Sequence, residues 1–265
     1  MHVAIVTGAN HGIGAAVAQR LAGDGAKVLV TYLRSRVVDD DATPERYQSN
    51  RMTDGEIVAE RIRSNGGTAI AIEANLLDAA TPGRLFDLAE AELGAVDIVI
   101  NNATGWSSGD SFVAGNLDPV GRGTPEVTAE LFDRTFGVDA RAGALMIAEF
   151  ARRHLARGGT WGRIIGLTSG GPNGFPSEVT YGAAKVALEN YTMSAATEMG
   201  RSGVTANMIH PPITDSGWVN DAVREFAATS TEHFHVAEPA EVAAVIGWLC
   251  TDEARMVTGN IIRMR

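Results

Sequence analysis

Tyr181 and Lys185 stand four residues apart in the run Tyr181-Gly182-Ala183-Ala184-Lys185. On a helix that spacing puts phenol and ammonium on one face. An ammonium beside a phenol favours the phenolate, so the pair predicts a tyrosine whose pKa falls below its ordinary value near 10 and that exchanges a proton near neutrality. The competing reading is an exposed helix pair with no chemistry. The choice of lysine bears on it. Of the 22 basic residues only Lys27 and Lys185 are lysines, and a compact, rotatable ammonium reaches oxygens that a planar guanidinium cannot. Ser169, twelve residues before Tyr181, closes an apolar run, where a hydroxyl could hold a substrate oxygen; alone it would be a loop cap.

A second constellation is glycine-rich. Thr7-Gly8-Ala9-Asn10-His11-Gly12-Ile13-Gly14 follows an apolar run at 3–7 and opens a helical pattern at about 12–21. Glycines at 8, 12 and 14 permit a tight turn and close backbone approach to a pyrophosphate, while free N–H groups at a helix start stabilise negative charge. An ordinary turn is the alternative. No Gly-Lys-Ser/Thr follows, so nucleoside triphosphate hydrolysis lacks support and a dinucleotide fits better. The second apolar run ends Val30-Thr31-Tyr32-Leu33-Arg34, with no acid for a ribose 2′-hydroxyl. Arg34, Arg36 and His11 could face a 2′-phosphate, which favours NADP(H) with NAD(H) as the alternative; solvated arginines compete with that reading.

These groups need a scaffold. Apolar runs recur at 3–7, 28–32, 68–74, 96–102, 162–169, 204–210 and 259–264, with helical patterns between them. Near-continuous apolar strands joined by helical crossovers predict an α/β fold, a doubly wound (Rossmann-like) seven-stranded parallel sheet with helices on both faces. No linker or repeat divides residues 1–265, which are read as one domain. Three segments break the alternation: an insertion at 34–53, a loop at 104–125 and a substrate-loop region at 210–237. Long loops in a compact domain are commonly functional, with disorder the competitor for the first.

The glycine spacing, Asn101-Asn102-Ala103-Thr104 after the fourth run, Leu167-Thr168-Ser169 after the fifth, Tyr-x-x-x-Lys, and the segment from His210 to Trp218 (HPPITDSGW) come in an order that resembles the short-chain dehydrogenase/reductase family, from residue 3 to 264. The resemblance implies a carbonyl reductase or alcohol dehydrogenase, nearest its 3-oxoacyl reductase branch. Tyr181 would then move the proton, Lys185 would lower its pKa and hold ribose, and Ser169 would orient the oxygen. Asp139 takes the place of an asparagine that helps organise a proton relay. The cofactor would lie against Gly8, Asn10, His11, Gly12, Ile13, Gly14, Tyr32, Arg34, Asn75, Leu76, Asn102, Ala103, Pro211 and Ile213 as well as Tyr181 and Lys185, with Asn75 near adenine. Asp139 and Thr104 depart from the family pattern, and a catalytically impaired dinucleotide sensor or scaffold is the rival from another class. Enoyl reduction is the rival within enzymes; there a tyrosine precedes the lysine by seven positions, and residue 178 is glutamate.

A formal charge of −10 and a pI near 5.1 argue against nucleic acid or an anionic membrane as partner. No apolar run of about 18 residues and no basic leader is present, which predicts a soluble, cytoplasmic protein. The lone Cys250 reads as a buried, inert thiol, and His233-x-His235 lacks the companions of a metal site, so no metal is expected. Trp106, Phe112, Phe175, Trp218, Phe226 and Phe234 fall in the irregular segments and suggest an apolar or aromatic-bearing small-molecule ketone. A homotetramer is expected from the resemblance and from a last strand left as a sheet edge.

Overall fold

The computed structural model describes residues 1–35, 43–171, 173–231 and 233–265. Its seven strands are β1 (Val3–Val6), β2 (Lys27–Tyr32), β3 (Thr68–Glu73), β4 (Ile98–Asn101), β5 (Gly162–Leu167), β6 (Val204–His210) and β7 (Ile261–Arg263). All pair in parallel, in the order β3-β2-β1-β4-β5-β6-β7. The reason lies in the strands' own chemistry: every residue of β1, β4 and β5 is buried, as only a sheet covered on both faces requires. One face packs against α1 (Gly12–Gly23), α3 (Glu56–Ser64) and α9 (Pro239–Leu249) through residues such as Val17, Ile62 and Ile246. The other packs against α4 (Thr81–Glu92), α6 (Gly143–Ala156) and α7 (Val179–Met199), with Phe86, Phe150 and Ala195 at its centre.

The strand order reverses at β1 and β4, and a crevice opens beyond their carboxyl ends, the place where open α/β sheets bind ligands. Several expected strands are shorter than their apolar runs. β5 stops at Leu167, so Ser169 sits two residues beyond it, and β7 covers only 261–263. The expected insertion carries a short helix, α2 (Glu45–Arg51), and the 210–237 region carries α8 (Asp221–Thr229). Between α5 (Ala129–Thr135) and α6 the chain loosens into a π-helical segment, Phe136–Ala142, a deformation often found at functional sites. Among the described residues no helix is long and apolar enough to cross a membrane, and Cys250 is a buried free thiol.

Candidate active site

A cleft of about 780 Å³ runs across the carboxyl ends of β1, β2, β4, β5 and β6. Of the residues singled out by sequence, Gly8, Asn10, His11, Gly12, Ile13, Gly14, Tyr32, Asn75, Leu76, Asn102, Ala103, Ser169, Tyr181, Lys185, Pro211 and Ile213 all line it. Asp139 lies behind the wall against Lys185. Arg34 is absent from the lining, and Arg36 falls outside the described residues.

The nucleotide half is built from backbone. Gly8 has a left-handed φ of +64°, and a Cβ there would come within 2.8 Å of the Ala103 backbone; at Gly14 it would strike the Gly8 carbonyl. Thr7 Oγ1 accepts from the Asn102 and Ala103 amides, both at 3.0 Å, and Asn102 Nδ2 donates to the Thr7 and Gly8 carbonyls at 2.8 and 2.9 Å. The two strand-end loops are thus tied into one floor beneath the start of α1, whose first amides lack a side-chain cap. A dinucleotide fits this cradle: its pyrophosphate would meet the open helix start and backbone that no side chain obstructs. His11 Nδ1, buried without a partner among the described residues, adds an unmet polar atom. Burial and the Arg51 guanidinium push His11 down to about 4, so it faces the cleft as a neutral imidazole and not as the cation a phosphate would favour.

The arginine assigned to the 2′-phosphate needs correction. Arg34 is drawn away by Glu73, which it grips at 3.0 and 2.6 Å, with Asp54 at 3.8 Å. Both acids come from other segments, so the acid-free end of β2 could not reveal them. Asp54 also accepts from the Tyr32 hydroxyl at 2.5 Å, and burial together with that carboxylate holds Tyr32 up at about 12. Besides Lys185, Arg122 and Arg263, the cleft is lined by Arg51, from the insertion, and Arg134, from α5. Arg51 donates to Ser35 Oγ at 3.0 Å and to the Trp106 carbonyl at 3.1 Å but meets no carboxylate among the described residues. Arg134 makes no hydrogen bond or ion pair there, and burial followed by repulsion from Arg51 lowers its pKa.

The two departures from the family pattern touch each other. Asp139, presented by the π-helical segment, is 1% exposed; its Oδ1 lies 2.9 Å from Lys185 Nζ. Its Oδ2 accepts from the Gly105 amide at 2.7 Å and from Thr104 Oγ1 at 3.1 Å. Thr104 Oγ1 in turn accepts from the Trp106 amide at 3.0 Å. A glycine at 104 would leave one lone pair of Asp139 and one loop amide without those partners.

Tyr181 also departs from expectation. Lys185 Nζ stands 5.3 Å from the centre of its ring, yet the Tyr181 pKa is raised well above its ordinary value. Burial is the main cause, followed by the negative charges of Asp139 and Glu178. The ammonium's field is largely met by Asp139, so the phenol is neutral at physiological pH.

The substrate half is built from side chains on loops. Trp106, Phe175, Trp218 and Phe226 line it as expected, whereas Phe112 and Phe234 are 80% and 68% exposed and lie outside the lining. Nothing in the sequence separated these two from the others, because all but Phe226, which sits in α8, are loop residues without periodicity. Glu178, Asp118 and Arg122 were also missed as lining residues. Asp118 folds its own turn by accepting from the Val120 and Arg122 amides and pairing with the Arg122 side chain. The pair His233-x-His235 is split between the Phe226 ring and Glu241.

With this geometry in view, a family model described as enoyl-(acyl carrier protein) reductase matches residues 8–264. Elsinochrome reductase 1 of Elsinoe fawcettii is 32% identical over 98% of this chain and 91% of the relative. A probable tetrahydroxynaphthalene reductase of Zymoseptoria tritici is 31% identical with the same coverage. Among solved structures, an angucycline C-6 ketoreductase with bound NADP superimposes with a TM-score of 0.76 at 31% identity, covering 99% of this chain and 93% of that one. The chain belongs to the short-chain dehydrogenase/reductase family. It is accordingly an oxidoreductase-type chain, similar to proteins named as reductases and to a ketoreductase that carries NADP.

Proposed function

We propose that the protein is an NADPH-preferring ketoreductase acting on an aromatic or polycyclic ketone. The observation that carries this reading is that Tyr181, Ser169 and the glycine cradle open onto one cleft. A neutral phenol is a proton donor, so it suits reduction, in which the forming alkoxide needs a proton; alcohol oxidation would need the phenolate. When bound, the dinucleotide would supply the hydride. Ser169 would hold the substrate oxygen and Tyr181 would protonate it. Lys185, anchored by Asp139, would face the ribose hydroxyls and the phenol together. An impaired sensor was motivated by Asp139 and Thr104, and their mutual hydrogen bond supports a working relay instead.

The preference for NADPH is supported by Arg51 and Arg134. Burial and the charge of Arg51 both weigh on the Arg134 guanidinium, with Glu130 offsetting them only in part, and a 2′-phosphate is the part of the cofactor that would relieve both guanidinium groups. The aromatic lining and the names of the relatives favour a fused-ring ketone over a 3-oxoacyl chain. A homotetramer remains our expectation, since β7 pairs only with β6 among the described residues. Steady-state NADPH oxidation with tetralone-type, naphthoquinone-type and 3-oxoacyl substrates tests the proposal. Turnover of the fused-ring ketones with NADPH at least several-fold better than with NADH is expected. Cofactor binding without turnover of any ketone would return the sensor.

A further inference from the structure

Glu178 sits at the start of α7, three residues before Tyr181, and lines the substrate half of the cleft. Its Oε2 accepts from the Trp106 indole N–H at 2.7 Å. Its Oε1 has no hydrogen-bond partner among the described residues. The side chain is therefore fixed in orientation on one oxygen and open on the other. The indole anchor sits in a loop that is itself held, since the Trp106 amide binds Thr104 and its carbonyl receives Arg51. Phe175 and Pro176 line the cleft beside it, so a flat apolar ligand would bring its edge to a carboxyl group.

The charges around Glu178 restrict what that edge can carry. Asp110 and Asp118, both from the loop after β4, bear negative charge toward it, and Tyr181 faces it from its own helix. Arg122, a cation that acts on it, is engaged by Asp118. An anionic substituent would be repelled, while a hydroxyl donor would satisfy the open oxygen without adding charge. We propose that Glu178 is a specificity-determining residue that accepts a hydrogen bond from a hydroxyl on the substrate, so that the preferred ketones are hydroxylated aromatic ones. This deepens the ketoreductase reading and rests on it for the identity of the ligand.

Burial, with Asp110 and Asp118 adding to it, pushes Glu178 up to about 7. The ionised carboxylate is the stronger acceptor, so binding of the hydroxylated ligand should tighten as pH rises through that value.

The test compares a hydroxylated tetralone with the unsubstituted tetralone, in the wild type and in Glu178→Gln. Glutamine can still accept from the Trp106 indole but presents N–H groups to the ligand on its other side. In the wild type the ratio of kcat/KM for the hydroxylated over the unsubstituted ketone should be about 10 or more, carried by KM and growing between pH 6 and 8. In Glu178→Gln the ratio should fall to near one and lose its pH dependence. An equal loss on both ketones, or an unchanged ratio, would overturn the proposal. Trp106→Phe, which removes the anchor and leaves the carboxyl, should also lower the ratio, and it carries the test if Glu178→Gln does not fold. Calorimetric titration of both tetralones into the NADPH complex reads the same discrimination without turnover. Absence of ketone reduction with discrimination intact would therefore fail the ketoreductase reading alone.

Discussion

The two halves of the cleft are made of different materials. The nucleotide half is a floor of glycine backbone and strand ends, with neutral His11 and the cations Arg51 and Arg134 above it. The substrate half is a set of side chains on the loop after β4 and the start of α7, with the acids Glu178 and Asp118 in its lining and Asp110 beside them. Trp106 joins them: its carbonyl receives Arg51 on one side and its indole holds Glu178 on the other. A backbone-built site is specified by where side chains are missing, and its geometry tolerates little change. A site built from side chains can be retuned by one substitution, which suits the half that must distinguish ketones.

Asp139 and Lys185 lie where the halves meet, and breaking them should have the largest effect. Both side chains are at most 2% exposed, and the pair is 2.9 Å apart. Asp139→Ala would leave a buried ammonium without its counter-ion and strip Gly105 and Thr104 of their acceptor, at a cost of about 3–5 kcal/mol. Urea denaturation measures this. Asp139→Asn, which keeps an acceptor for Gly105, should cost less. A loss in Asp139→Ala below about 1 kcal/mol would mean that the ion pair contributes little. Lys185→Arg should leave folding nearer intact while kcat falls by about 10²-fold, because the guanidinium cannot occupy the space between Asp139 and the Tyr181 ring with the same reach. Retention of more than roughly half the wild-type kcat would remove the pair from proton transfer.

The contrast between the halves also decides what could be read from sequence. Gly8, Gly12, Gly14 and the apolar runs are local signals, each fixed by its own backbone or burial requirement, and the sheet and glycine cradle follow from them. The Tyr181 and Lys185 spacing was equally legible, but the direction of the Tyr181 shift was not. It depends first on the burial of the phenol and then on Asp139 and Glu178, which a chain crossover and a helix start bring to it. The pairing of Arg34 was hidden for the same reason, because Glu73 and Asp54 reach it from β3 and from the segment after α2. Glu178 was noted only as the residue standing where a tyrosine would be needed for enoyl reduction. Its role in the cleft depends on Trp106, 72 residues away.

Glu178 offers a test of the acidic half that needs no substrate. Its carboxyl sits at about 7 in the folded chain against an ordinary 4.5, so the folded state holds the proton more tightly than the unfolded one. The stability this contributes is complete below the ordinary value and is lost as pH rises through about 7. Glu178→Gln carries no titrating group there. The melting temperature of the variant relative to the wild type should therefore rise from pH 5 to about pH 7, with the steepest change midway between the two values, near pH 6, and level off above that. A difference that stays flat over this range would place the carboxyl in water.

The smallest effects belong to the nucleotide half, where two arginines separate a working charge from an idle one. Arg51 is buried at 7% exposure and lines the cleft without a carboxylate partner among the described residues. A charge-assisted contact from it to a 2′-phosphate is worth about 1.5–3 kcal/mol, so Arg51→Gln should reduce the NADPH over NADH preference by about 10-fold or more. Arg34→Gln alters a residue that lies on the surface, spends its guanidinium on Glu73 and is absent from the cleft lining. Exposed pairs of this kind contribute little, since both partners are well solvated when separated. The Arg34 variant should therefore keep the cofactor preference and the melting temperature of the wild type. Calorimetric titration of both cofactors into both variants measures the difference. A loss of preference in Arg34→Gln that matched or exceeded that in Arg51→Gln would mean that Arg34 leaves Glu73 when the cofactor binds, and that the acid-free end of β2 had pointed to the right arginine after all.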